Sequence, residues 1–258
     1  MHSHILYIDE SVAGTDCPCP AAFSFGRPVK QEKGIQMERY KILHEDKDLL
    51  VIYKPPGIPV QSAKPSVPDV MSMLCNEFLE RGEKKPYLGL VNRLDQPVEG
   101  IFLVGKNEKA AADLSRQAGE HTKMEKWYQA LVCGSLPQKE GVLVDYLVKD
   151  GRTNQSLVVP AGTKGAKQSR LQYELLKTWG DKSLLKIRLF TGRHHQIRVQ
   201  FAHAGVPIVG DRKYGKSDAG GSRLCLCACK IVFIHPRTRK AMAFQVEPTF
   251  PVPPTAPV

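Results

Sequence analysis

Two apolar alternations that face each other across a short polar turn constrain this chain most. Leu171, Tyr173 and Leu175 recur at every second residue, and so do Leu185, Ile187 and Leu189 beyond Trp179-Gly180-Asp181-Lys182. A period of two puts each trio on one face of a strand, and the turn between them predicts a hairpin. Residues 100–104, 127–132, 142–148, 157–159, 224–234 and 241–246 are further strand-like runs. Residues 49–53 read as a buried strand stopped by Lys54-Pro-Pro-Gly57. Helical spacing occurs in three places. Val70, Met73, Leu74 and Phe78 follow the N-cap residue Asp69, and Ala110, Leu114 and Ala118 follow Asn107. Residues 194–204 put Ile197, Phe201 and Ala204 on one face, with Arg198 on its flank, and stop at Gly205. Many strands with a few interspersed helices, and no regular βα alternation, predict an α+β fold with a mixed, mainly antiparallel sheet.

Residues 1–38 lack periodicity and predict an irregular N-terminal extension; 39–250 form the folded domain and 251–258 a proline-rich tail. No apolar run approaches the length of a membrane span. The start of the chain lacks a basic segment followed by an apolar one, so no secretory leader is expected and a cytoplasmic, monomeric protein is. Seven cysteines, an odd count, are then expected as reduced thiols. Cys225, Cys227 and Cys229 alternate with Leu224, Leu226 and Ala228. That pattern fits a strand buried on both faces better than a CxCxC metal site.

Lysine and arginine number 37 against 26 acids, a net charge of +11. The basic residues are spread over 81–85, 164–170, 212–216 and 237–240, so folding must assemble the charged face. A polyanion, nucleic acid above all, is the partner such a surface suits.

Asn92-Arg93-Leu94-Asp95-Gln96-Pro97-Val98-Glu99-Gly100 pins an Arg and an Asp between an apolar segment and a proline. Thr191-Gly-Arg-His-His-Gln-Ile-Arg198 runs on to Gly205-Val-Pro-Ile-Val-Gly-Asp211 and Tyr214-Gly215. Lys126-Trp-Tyr-Gln-Ala-Leu-Val-Cys-Gly134, Leu224-Cys-Leu-Cys-Ala228 with Phe233-Ile-His-Pro236, and Lys54-Pro-Pro-Gly57 complete the set. In order and spacing these resemble the signatures of the RluA-like pseudouridine synthases: HRLDxxTSG, GRxHQIR, GxPIxGD with YG, KxYxALVxG, LxLHA with FxHP, and KPxG. Together they span roughly residues 40–250. The departures are Asn92 for His, Val98 for Thr, Glu99 for Ser and Cys227 for His.

The resemblance implies the pseudouridine synthase fold with a central active-site cleft, RNA (ribosomal or transfer) as substrate, and no cofactor or metal. It makes Asp95 the catalytic carboxylate, acting either by attack on C1′ of the uridine or by removal of the 2′ proton. Cleaving a glycosidic bond puts positive charge on the sugar, which a carboxylate beside the anomeric carbon stabilises or traps. Arg198 is implied as its ionic partner, which agrees with an arginine lying so close to an apolar face. Tyr128 is implied to stack on a flipped uracil and to help remove the C5 proton. Arg93 is assigned to phosphate or to the gap the base leaves. Asn92, Arg193, His195 and Leu226 are further candidates at the substrate; Asn92 keeps hydrogen-bonding capacity where His is usual. His195 is also expected to make a structural hydrogen bond, and Asp211 to cap a turn. The spacing of His194, His195, His203, His235 and Asp211 fits no metal site.

Two other readings compete. The four departures suit a catalytically impaired RNA-binding protein on the same fold; the retention of Asp95, Tyr128 and Arg198 speaks against it. A metal-dependent nuclease built on the histidines is the other. No S4 RNA-binding domain is recognisable in residues 1–38.

Overall fold

The computed structural model describes residues 6–7, 40–64, 66–120, 123–215 and 223–252. Of the expected N-terminal extension only strand β1 (Leu6–Tyr7) falls among them. The rest of 1–38, with Cys17 and Cys19, and most of the proline-rich tail lie outside the described residues. The chain divides into two compact units: Met1–Met124 with Ile231–Gln245, and Glu125–Lys230 with Val246–Val258.

In the first unit, β2 (Lys41–Glu45) and β3 (Leu49–Lys54) form a hairpin. Asp46 makes its turn, one carboxylate oxygen accepting from Asp48 N at 2.7 Å and Leu49 N at 2.9 Å. After α1 (Val70–Glu80) and β4 (Gly89–Leu90), β5 (Glu99–Gly105) pairs antiparallel with β3. Every residue of β3 and β5 is buried, as a strand covered on both faces requires. Asp69 caps α1 through Ser72 N at 2.8 Å, and Asn107 caps α2 (Glu108–Gly119) through Ala110 N at 2.9 Å. Both caps agree with the sequence. The apolar stripe of α1 shifts slightly: Met71 is buried and Met73 only half-buried.

The second unit holds β6 (Glu125–Cys133), β7 (Glu140–Asp150), β8 (Gln155–Val159), β9 (Lys167–Trp179), β10 (Lys182–Leu189) and α3 (Gln196–His203). The strands lie in the order β6-β10-β9-β7-β8, each neighbour antiparallel. In the β9–β10 hairpin Leu171, Tyr173 and Leu175 stand opposite Leu189, Ile187 and Leu185, so the two trios share a face. Phe201 of α3 packs edge-on to Tyr173 at 6.2 Å, which places the helix over that face.

Helix α3 differs from expectation. Gln196 to Phe201 are all buried, so it has no single apolar stripe, and Ala204 is exposed. The helix is short and enclosed; Ala204 is its C-cap, where the chain leaves through Gly205 at φ +82°.

Strand β11 (Leu226–Ile234) carries the chain from the second unit back into the first, and β12 (Ala241–Gln245) pairs with β1. Cys225, Cys227 and Cys229, and the Leu224, Leu226 and Ala228 that alternate with them, are all buried, as the doubly buried strand requires. The α+β class and the antiparallel pairing thus follow the sequence. Among the described residues no helix is long and apolar enough to cross a membrane.

Candidate active site

The Asp95 loop belongs to the first unit and is tied down at both ends. On its N-terminal side Val91 N donates to Leu103 O at 3.1 Å, and Asn92 Oδ1 accepts from Leu103 N at 2.9 Å. The asparagine side chain thus stands in for a strand partner on β5, which gives it the hydrogen-bonding role expected of it. On the C-terminal side Val98 N donates to Asp95 O at 3.0 Å, closing a tight turn. Gly100 then enters β5 at φ +124°, a conformation that favours glycine. Asp95 is half-buried in this loop; Arg93 is exposed.

A second segment grips the loop from below. Gly57 N donates to Gln96 O at 2.9 Å, and Gln96 Nε2 returns a bond to Gly57 O at 2.9 Å. Lys54 Nζ donates to the carbonyls of Pro55 (2.9 Å), Ile58 (2.8 Å) and Gln96 (3.0 Å), and its side chain is wholly buried. Burial pushes the Lys54 amine down to about 7, while the negative charges of Asp95 and Glu99 act in the opposite sense. The sequence presents Lys54 as a strand stop in a KPxG turn. Its signal was a lone cation ending an otherwise apolar strand.

The other candidates lie in the second unit. Tyr128 sits on β6 opposite Ile187 of β10 and is buried, 7% exposed. Arg198 is buried on α3. Its Nε and Nη2 each lie 2.8 Å from one carboxylate oxygen of Asp211, also buried, and its guanidinium lies 5.2 Å from the Tyr214 ring centre. Asp211 also accepts from Lys213 N at 2.9 Å and Tyr214 N at 3.2 Å, the turn-capping role expected of it. Burial alone would raise the Asp211 pKa; the Arg198 contact and the two amides outweigh it and hold the carboxyl below the usual range. The sequence did not pair Asp211 with Arg198.

His195 Nδ1 lies 2.8 Å from Tyr214 Oη, which also accepts from Ser156 N at 2.7 Å. This is the structural hydrogen bond expected of His195. Its backbone is left-handed, φ +52°, and its ring stacks on His194 at 3.7 Å. Residues 194–195 form the turn that leads into α3, the helix that carries Arg198. Arg193 is exposed, with Nε donating to Gln168 O at 3.0 Å, and Leu226 is buried on β11. Asp95, Asn92 and Arg93 therefore fall in one unit, and Tyr128, Arg193, His195, Arg198 and Leu226 in the other.

Asp46, Asp48 and His235 place ligand-type atoms close together. Asp46 bonds His235 Nε2 at 2.8 Å and His44 Nε2 at 3.2 Å, Asp48 pairs with Arg237, and His235 Nδ1 accepts from Arg237 N and Thr238 N. These bonds knit the β11–β12 turn to the β2–β3 turn.

Residues 48–203 match the family model described as RNA pseudouridylate synthase. A Chloroflexus aurantiacus protein described as an uncharacterized RNA pseudouridine synthase is 38% identical over 210 residues, covering 78% of this chain and 62% of that one. The Buchnera aphidicola (subsp. Acyrthosiphon pisum) ribosomal large subunit pseudouridine synthase C is 34% identical over 205 residues, 76% of this chain and 63% of that one. The chain thus spans somewhat under two thirds of the length of these relatives. Among solved structures, human RNA pseudouridylate synthase domain containing 4 superposes with a TM-score of 0.67 at 22% identity, over 81% of this chain and 88% of that one.

Proposed function

The chain belongs to the RNA pseudouridylate synthase family, and from that premise we propose that it isomerises uridine in RNA to pseudouridine through the carboxylate of Asp95. The observation that carries the reading is the Asp95 loop itself. The half-buried Asp95 is held in a loop whose flanks are bonded to β5 and to the 54–58 turn.

The reaction breaks the N1–C1′ bond and forms C5–C1′; C5 loses a proton and N1 gains one. Nothing is added or oxidised, so the chain needs only to bind, to stabilise charge and to move protons. Asp95 meets the developing positive charge on the sugar. Whether it bonds C1′ or takes the 2′ proton, its own negative charge is consumed. Arg198, held by Asp211, is the proposed ionic partner of Asp95. Tyr128 is proposed to stack on the flipped uracil and help to remove the C5 proton. Arg93 and Arg193, both exposed, are proposed to meet the phosphates. The name of the Buchnera relative makes large-subunit ribosomal RNA the first substrate to try, with transfer RNA second.

The test is tritium release from RNA labelled at uridine C5, in EDTA, with the natural protein and Asp95→Ala. Release by the natural protein alone supports the proposal. Retained release by Asp95→Ala, or none by either protein on both RNAs, overturns it.

A further inference from the structure

The sheet of the second unit has two faces of different character. Helix α3 covers one, where Phe201 packs on Tyr173 and where Tyr128 and Ile187 also stand. The other face is open. Along β9, Gln168, Arg170, Gln172 and Glu174 are exposed, while Ser169, Leu171 and Tyr173 between them are buried. On the neighbouring strand β7 the register sets Val144 opposite Arg170, Val142 opposite Gln172 and Glu140 opposite Glu174. Val142 and Val144 are 47% and 50% exposed, and Leu157, opposite Val148 on the next strand, is 49% exposed. A single exposed apolar residue is ordinary. Three on adjoining strands of one face form a patch, which marks a surface for contact with another molecule.

The charges on this face decide what fits it. Arg188 stands opposite Gln172 and Lys186 opposite Glu174, so both share the face with Arg170. Against these three cations stand Glu140, Glu174 and Glu125, the last bonded to Arg188 at 2.6 Å. The face is therefore neutral, in a chain of net charge +11. RNA takes a positive surface, and this one is not. The signs are also sorted along the strands. Glu140 and Glu174 stand directly opposite each other, an unfavourable like-charge pair. Among the described residues their one ion-pair partner is Lys186, 3.5 Å from Glu174. Arg170, four residues from Glu174, lies over the Phe190 ring at 4.8 Å and has no carboxylate partner among the described residues.

We propose that this face is a homodimer interface, where a second copy of the chain packs on the first about a two-fold axis. The axis lies in the plane of contact and crosses the strands through Val142 and Gln172. That rotation lays the Arg170 end of β9 on the Glu174 end of the partner's β9. Arg170 then meets the partner's Glu174 and the partner's Glu140, and the contact occurs twice, as two-fold symmetry requires. Val142 meets the partner's Val142 at the centre, and the exposed valines leave water. The cation and the acids that each lack a partner in one copy find it in the other. Five strands about 4.8 Å apart, each about eight residues long, give a face of roughly 600 Å². Two such faces come to roughly 1,200 Å², the lower bound for a stable interface. This departs from the monomer expected of the sequence. The Tyr128 face stays uncovered, so the inference does not depend on the reaction proposed for the chain.

The experiment measures the mass of the full chain, free of RNA, by sedimentation velocity from about 1 to about 100 μM, where an interface of this size should associate. The natural protein should pass from monomer to dimer within that range. Val142→Asp and Arg170→Glu should each weaken the dimer at least about tenfold, since each change is felt twice across the axis. Arg170→Glu combined with Glu140→Arg and Glu174→Arg exchanges the signs, and should bring the dimer back to within about threefold of the natural affinity. The substituted side chains are all exposed, and circular dichroism checks that each variant folds. A monomer at every concentration overturns the proposal. Binding of a labelled single-stranded RNA, measured on the same proteins, then says what the face serves: loss in Arg170→Glu gives it to RNA. A dimer indifferent to Val142→Asp or to Arg170→Glu places the interface elsewhere and overturns the proposal too. A triple variant that stays monomeric while the natural protein dimerises overturns the pairing of Arg170 with the partner's Glu174.

Discussion

Arg198 and Asp211 meet edge to edge, two nitrogens of the guanidinium each 2.8 Å from a separate carboxylate oxygen, and both residues are at most 5% exposed. Breaking a buried pair by removing one partner is costly because the other charge stays buried. Asp211→Asn is therefore expected to destabilise the protein by about 3–5 kcal/mol, read from denaturant unfolding. Arg198→Lys should lose most of the bidentate contact and the stacking on Tyr214, and pseudouridine formation with it. Wild-type stability in Asp211→Asn would show that this pair does not hold α3.

The same carboxylate gives a pH dependence with a definite sign. The folded Asp211 pKa lies below its unfolded value. Its contribution is thus complete above the unfolded carboxyl range, near about 3.9, and is lost as pH falls through the folded value. Acid unfolding of the natural protein, compared with Asp211→Asn, should show the difference between the two narrowing steadily below about pH 5. A constant difference down to acid unfolding would mean that folding leaves the Asp211 carboxyl with the proton affinity it has in the unfolded chain.

Two glycines with the same backbone sign should respond differently. Gly57 has φ +91° and open space where a Cβ would go; Gly210 has φ +76°, and its Cβ would lie 1.9 Å from Arg223 O. Gly57→Ala should cost about 1 kcal/mol, the strain of the left-handed conformation alone. Gly210→Ala adds a backbone clash beside Asp211 and should cost more than about 3 kcal/mol, beyond the usual range for strain by itself. Thermal unfolding of both variants checks the order; equal losses would count against the geometry around Asp211.

What the sequence made legible, and what it hid, divides by range. Asp69 and Asn107 announce their helices because a cap bonds only three residues ahead, and Leu171 to Leu189 announce their hairpin because its turn is local. The chemistry-bearing loops were readable as motifs. The partnerships inside them were not. Arg198 meets Asp211 thirteen residues on, and Lys54 reaches Gln96 across forty-two, and neither spacing has a period to betray it. Ala204 misled because helical spacing assumes one exposed side, whereas α3 is enclosed all round as far as Phe201.

RNA binding should be strongly salt-dependent. The net charge is +11, and Arg93 and Arg193 stand exposed in the motif segments. Each phosphate neutralised on a single strand contributes a slope of about −0.7 to log K against log salt. These two contacts predict a slope of about −1.4 or steeper, and Arg193→Gln should flatten it by about 0.7. A flat line would mean that the surface charge does not meet the RNA backbone.

Lys54 gives the last and sharpest stability test. Burial pushes its amine down to about 7 in the folded protein, from an ordinary value of 10.5. Between those two pH values the unfolded chain binds the proton and the folded one does not, so stability rises with pH across that window. One proton can supply at most about 1.4 kcal/mol per pH unit, and below the folded value the cost of burying the charge is felt in full. Lys54→Met removes this dependence. Urea unfolding from pH 6 to pH 10 should therefore show the natural protein gaining stability relative to Lys54→Met as pH rises. A difference that stays constant would place the amine at its ordinary value, solvated rather than enclosed by its three carbonyls. A difference that shrinks, with the natural protein losing ground as pH rises, would mean that folding raises the amine's affinity for its proton, and that the carboxylates of Asp95 and Glu99 outweigh the burial.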